Sequence, residues 1–332
     1  MSPITPYSSP MAAPATVSLV LGGGGARGLA HIGVIRWLTD NGYEIRSIAG
    51  SSMGALVGGI FAAAKLDVYT DWVSALERFQ VVRLLDPAFD RSGLFKGERI
   101  ISVLRTLIGD LRIEELPIKF TAVATDLETG EEVWLREGKL WDAIRASIAT
   151  PMVFTPFKLG ERLLLDGALV NPVPIAPTLG DDTDLTVAVN LAGPAEERPA
   201  PLIPVAHESG NGLRQNIRAF IEKLQPTRPP ETPTPRMFDI AFASMQVMQD
   251  KIARLQFKEY SPGVTVEIPR NTCGFHEFWR AAELIELGYE RAARAFGRPI
   301  ESQPESQPET QREAERIGKA APALPDQKPA RP

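Results

Sequence analysis

Early in the chain, short β-rich runs alternate twice with amphipathic ones. Val17-Ser18-Leu19-Val20-Leu21 is a strand-length run of branched and apolar residues. After a block of glycines, Leu29, Ile32, Ile35 and Leu38 recur at three-residue steps, and Ala30, Val34 and Trp37 widen the same face. That spacing predicts a helix over 29–41, with Gly42 where a helix C-terminus favours glycine. Ile45 to Ala49 reads as a second strand, followed by a turn and a helix reaching to Lys65. Two such strand–helix units in succession predict an α/β fold with a mainly parallel central sheet.

Further along, the pattern predicts helices over 68–79 and 97–108, with a loop between them at 84–97. Ile118 to Asp126 is a strand, with Glu132 to Arg136 as its hairpin partner across Glu128-Thr129-Gly130. Leu140 to Ile148 is a short helix with Trp141 and Ile144 facing in. Leu163-Leu164-Leu165 is a strand leading into Asp166, and Leu185 to Leu191 is the last strand expected of the sheet. Pro194–Pro204 and Pro226–Pro235 read as linkers. Phe238, Phe242, Met245, Met248, Ile252 and Leu255 step by three or four along an amphipathic helix. Packing against the sheet is the expected use of that face, and a lid or a membrane-facing surface is the alternative. A strand over 264–268 and a closing helix over 277–296 complete one domain, 17–296. Residues 1–16 and 297–332 are rich in Pro, Ser, Ala, Glu and Gln and are expected to be disordered tails.

Composition narrows the chemistry. The 332 residues are 44% hydrophobic and 23% charged, and the net charge of -5 argues against a nucleic-acid partner. One cysteine, Cys273, excludes an internal disulfide framework and a cysteine-rich metal site. It reads as a small buried residue. The three histidines, His31, His207 and His276, show no metal-ligand spacing, so neither a metal nor a cofactor is expected. No apolar run is long enough to span a membrane. The expected compartment is the cytosol, with peripheral contact to the inner face of a membrane left open.

Two turns carry the candidate chemistry. Gly50-Ser51-Ser52-Met53-Gly54 lies between a strand and a helix, the layout of a nucleophile elbow. Gly50 and Gly54 let the flanking backbones pass closely, and the helix N-terminus favours negative charge at Ser52. Gly23-Gly24-Gly25-Ala26-Arg27-Gly28 fits a dinucleotide fingerprint in spacing, but the second strand ends in the serine turn rather than in an acidic ribose ligand. A phosphate loop is excluded, because no Gly-Lys-Ser/Thr follows. The remaining readings are a structural turn or an oxyanion hole, in which glycine N–H groups converge on a developing O⁻ and Arg27 anchors the loop or adds positive potential. A serine also needs a base. His207 and His276 lie away from the sheet strands, and His31 reads as a packing residue. Asp166 ends a strand, and Gly167 permits a sharp turn there.

Four segments in this order resemble the patatin-like phospholipases, in the bacterial branch similar to the catalytic domain of neuropathy target esterase. They are Gly23–Gly28, Gly50–Gly54, Ala146-Ser147-Ile148-Ala149-Thr150-Pro151, and Asp166-Gly167-Ala168. Thr125–Gly130 and Asn171-Pro172-Val173-Pro174 also look like this family. The resemblance implies a three-layer α/β sandwich with helices on both faces. It also implies a Ser52–Asp166 dyad without histidine, an acyl-lipid substrate and no metal. The Ala146–Pro151 segment should then lie against the cleft, with Pro151, Phe154 and Pro156 shaping an acyl slot.

A carboxylate of ordinary pKa, about 4, is a weak base for a serine hydroxyl. Burial away from positive charge raises it. Such a site suits esters, whose alcohols leave more easily than amines. The leading reading is therefore a serine lipid acyl hydrolase acting through an acyl-enzyme. The competing reading is a catalytically weak protein of the same fold that binds lipid or regulates a partner. Phospholipase, lysophospholipase and general esterase activity, and the oligomeric state, stay open at this level.

Overall fold

A computed structural model describes residues 14–88, 94–196 and 237–297. The strands are β1 (Thr16–Leu21), β2 (Glu44–Ser51), β3 (Lys119–Asp126), β4 (Glu132–Leu135), β5 (Phe157–Leu159), β6 (Arg162–Asp166), β7 (Leu185–Gly193) and β8 (Val264–Pro269). The helices are α1 (Ala30–Asp40), α2 (Met53–Ala62), α3 (Leu66–Ser74), α4 (Arg78–Arg83), α5 (Glu98–Ile108), α6 (Leu140–Ser147), α7 (Met237–Tyr260) and α8 (Ala281–Gly297). β3, β2, β1, β7 and β8 lie side by side and parallel, while β4 and β6 pair β3 antiparallel and β5 pairs β6.

Strand alternation assigns the helices to two faces. Val20 points to a cluster with Ala188, Val173 and Ile175, covered by Ala253, Phe257 and Tyr260 of α7. Leu21, the next residue, points the other way; a Cβ at Gly58 of α2 would lie 3.2 Å from its Cδ1. α1 and α8 touch backbone to backbone. A Cβ on Gly33 would lie 1.9 Å from the Ile285 carbonyl oxygen, and one on Gly288 as close to that of Ala30. The result is a three-layer α/β sandwich with a mixed, mainly parallel sheet.

Several details depart from the sequence-based expectations. β1 starts one residue earlier than expected, at Thr16, whose N–H and Oγ1–H both donate to Asp184 Oδ2. The helix expected over 68–79 is two helices, because Glu77 and Gln80 form a capping box that starts α4 afresh. β5 is an additional strand, joined to β6 across Gly160-Glu161. The strand expected over 264–268 is β8, and it extends the sheet beyond β7. α7 is amphipathic, but Met248 and Leu255 lie on its exposed side, and Met245 and Ala253 on its buried one. The two proline-rich linkers beyond residue 196, His207, the Phe238 side chain and both tails lie outside the described residues.

Candidate active site

Register places the site. Val123 and Ala124 are consecutive on β3, and they face Ser51 of β2 and Asp166 of β6. Ala124 also pairs Val133 of β4, so Asp166 falls on the opposite side, which is the side of β2. β2 and β6 therefore run toward each other along one edge of β3, and their C-terminal ends meet. Residues 114 apart in sequence come together: Ser52 Oγ donates to Asp166 Oδ2 at 2.8 Å, with both side chains buried.

The elbow is sharp. Ser52 has φ 55° and ψ −122°, a conformation that costs a non-glycine residue about 1–3 kcal/mol and needs its neighbours to hold it. Its N–H donates to Ser147 Oγ at 2.9 Å, and Ser147 Oγ–H donates to the Val123 carbonyl at 2.6 Å. Ser51 Oγ–H donates to the Asn171 carbonyl at 2.7 Å. The flanking glycines are space requirements. A Cβ on Gly50 would lie 2.4 Å from the carbonyl carbon of Gly54, and one on Gly54 2.0 Å from the Leu21 carbonyl oxygen. Gly54→Ala is expected to destabilise the fold by about 3 kcal/mol, through overpacking against backbone that cannot yield. Gly180→Ala, where nothing lies within 4 Å, should leave the urea midpoint unchanged. Equal midpoints for the two variants would contradict this.

Asp166 is held by three donors. Ser52 and Thr150 give their hydroxyl protons to Oδ2, Thr150 at 2.6 Å, and the Ala168 N–H reaches Oδ1 at 2.9 Å. Those bonds favour the carboxylate, but burial outweighs them and pushes its pKa above the ordinary value. Gly167 passes so close to β3 that a Cβ there would lie 2.1 Å from the Val123 carbonyl oxygen.

Not every glycine of the first loop is free to bind an oxyanion. The Gly23 N–H is given to the Pro172 carbonyl at 2.9 Å. The N–H groups of Gly24, Gly25 and Met53 have no acceptor among the described residues. Gly28 lies under the elbow, where a Cβ would be 2.3 Å from Met53 Cβ. Arg27 donates from Nε to the Gly24 carbonyl and from Nη1 to that of Arg270, so it braces the loop. His31 is buried, its Nε2 lies 2.8 Å from the Gly22 carbonyl oxygen, and burial lowers its pKa to about 4. It is a neutral strut behind the loop. Cys273 is buried, and its thiol is pushed up to about 11.

Among the described residues, two spaces open on Ser52. A small one of about 30 Å³ lies over Gly24 and Asp166 and is roofed by Phe242, Met245 and Gln249 of α7. The other is an apolar cavity of about 410 Å³, walled by Leu56, Trp72, Leu104 and Phe154 among others. Phe154 therefore lines the slot as expected, whereas Pro151 and Pro156 do not. Sequence reasoning missed Ser147 and Thr150 as hydrogen-bond partners of Ser52 and Asp166. Both stand in the Ala146–Pro151 segment, which was the available signal.

The model of the family described as patatin-like phospholipase matches residues 19–179. An uncharacterized NTE family protein of Mycobacterium tuberculosis is 38% identical over 329 residues, covering 84% of this chain and 91% of its own. Neuropathy target esterase sws of Drosophila melanogaster is 32% identical over 192 residues, 52% of this chain and 13% of that much longer protein. A patatin-like phospholipase domain-containing protein of Caenorhabditis elegans is 36% identical over 165 residues, 48% of this chain and 12% of that one. With its three-layer fold and these relatives, the chain belongs to the patatin-like phospholipase family of lipid hydrolases, on the side of it that carries the NTE name.

Proposed function

We propose that this protein is a serine acyl hydrolase that cleaves carboxylic esters of (lyso)phospholipids or related acyl lipids. The observation that carries the reading is the buried 2.8 Å bond from Ser52 Oγ to Asp166 Oδ2, set at the inner end of an apolar cavity of about 410 Å³. Ser52 Oγ attacks the ester carbonyl carbon, and its proton passes to Asp166. The carbonyl oxygen becomes an oxyanion, held by the N–H groups of Gly24, Gly25 and Met53. Collapse breaks the bond to the alcohol, which leaves with the proton from Asp166. Water, deprotonated by Asp166, then releases the fatty acid from Ser52. The apolar walls accommodate the acyl chain and exclude water from the ester.

The raised pKa of Asp166 lets it act without a histidine. A fluorophosphonate probe tests this directly, because it loses fluoride to an activated serine. Labelling should map to Ser52 by mass spectrometry, in the wild type and equally in a His207→Ala/His276→Ala variant. Loss of labelling in that folded variant would restore a histidine base. No labelling of the wild type would favour the non-catalytic, lipid-binding reading.

A further inference from the structure

α4 is a helix with two apolar faces. On the inner side, Val81 and the Leu84-Leu85 turn that ends it line the apolar cavity. On the outer side, Phe79 and Val82 are 54% and 62% exposed. A helix apolar on both sides belongs between two apolar phases, and water supplies only one side here. Leu94 lines the same cavity and is itself 53% exposed, so it marks where the cavity meets the surface.

The charges around this rim are of both signs, and two of its arginines are not paired with a described carboxylate. Arg78 stacks 5.2 Å over the Trp279 ring and Arg83 5.6 Å over the Phe79 ring. Neither forms an ion pair with a described residue. The nearby carboxylates are engaged elsewhere. Glu77 caps α4, and Asp86 accepts from the N–H groups of Gly97, Glu98 and Arg99 at the start of α5. Arg99 donates to the Arg83 carbonyl at 2.9 Å and ties the two elements together.

We propose that this rim docks the protein on an anionic lipid surface. Phe79, Val82 and Leu94 enter the acyl region, and Arg78 and Arg83 meet headgroup phosphates. The inference rests on the acyl-lipid reading above, because it takes the cavity mouth as the entry for a chain drawn out of the bilayer. Docked this way, the chain passes from membrane to Ser52 without crossing water.

The test uses full-length Ser52→Ala protein, so that vesicles stay intact, in flotation with phosphatidylcholine vesicles with and without phosphatidylglycerol. The protein should float with the anionic vesicles. Adding Phe79→Glu and Val82→Glu should lower its partition at least about tenfold, by placing charge in the interface. Arg78→Gln with Arg83→Gln should weaken binding only where phosphatidylglycerol is present. With Ser52 intact, Phe79→Glu/Val82→Glu should hydrolyse soluble p-nitrophenyl butyrate at the wild-type rate and vesicle lipid more slowly. Equal partition with and without the glutamates overturns the proposal, as does absence of vesicle binding. So does a dimer that these substitutions disperse, since the rim would then be covered by a second copy. Vesicle binding without any ester hydrolysis would leave the docking surface standing and remove the hydrolase reading.

Discussion

Ser52→Ala is expected to lower hydrolysis of a p-nitrophenyl acyl ester by at least about 10⁴-fold and to abolish fluorophosphonate labelling. The size follows from the site's construction. Ser52 hydrogen-bonds Asp166 Oδ2 and lines the apolar cavity beside Gly25 and Met53, whose N–H groups have no acceptor among the described residues. Without its oxygen no acyl-enzyme forms. The fold should persist, since the Ser52 N–H still reaches Ser147 Oγ. The loss of one hydroxyl bond to a buried carboxylate costs about 2 kcal/mol. Losing that donor also pushes the Asp166 pKa further up, because the Ser52 bond is one of those that hold it down. A cooperative melt lowered by about 4–8 °C and lipid binding near wild type, with turnover gone, are the expected result. Retention of more than a hundredth of the wild-type rate would remove Ser52 as nucleophile.

What the sequence reveals of this site depends on whether the cause is local. The elbow is local in its space requirement: Gly50 and Gly54 leave room for the turn on either side of Ser52, and the three are readable in order. The glycine loop Gly23–Gly28 is only half readable. Gly23 and Gly24 look alike as letters, yet the Gly23 N–H is spent on Pro172, nearly 150 residues away, and the Gly24 N–H is not. The partner of Ser52 is a matter of register. Nothing in the Leu163–Asp166 run says that β6 pairs β3 on the same side as β2; that follows from Ala124 facing both Val133 and Asp166. The family motifs bridge that gap because they associate the two turns without geometry. For α7 the periodicity identified the helix but misjudged its face. Met248 and Leu255 fit an apolar stripe as well as Met245 and Ala253 do, and only packing against Val20 and Ala188 chooses between them. Thr150 is unread for a simpler reason: a threonine near a proline is an ordinary loop residue until its hydroxyl is seen 2.6 Å from Asp166 Oδ2.

Asp166→Asn should lower kcat by about 10²–10⁴-fold, the usual worth of a general base, and yet yield a protein at least as stable as the wild type near neutral pH. The two effects share one cause. Burial raises the Asp166 pKa, so the folded state holds its proton more tightly than the unfolded chain does. Between the unfolded pKa, about 4, and the higher folded one, the folded state binds more protons, so stability falls as pH rises through that window and stays lower above it. Asparagine removes this slope. Its amide can also be satisfied in place. Oδ1 keeps the bond from the Ala168 N–H, and Nδ2 donates to the Ser52 and Thr150 hydroxyls that formerly donated to Oδ2. The Thr150 hydroxyl proton then turns to the Ile148 carbonyl, its longer partner at 3.4 Å. Melting temperatures measured from pH 4 to 8 should therefore diverge in favour of the variant as pH rises. Over the same range, wild-type kcat/KM should climb through an inflection above the ordinary carboxylate value. A gap in melting temperature that closes or reverses with rising pH would mean that the folded site stabilises the anion, and a carboxylate stabilised in that way is too weak a base to take the proton from Ser52.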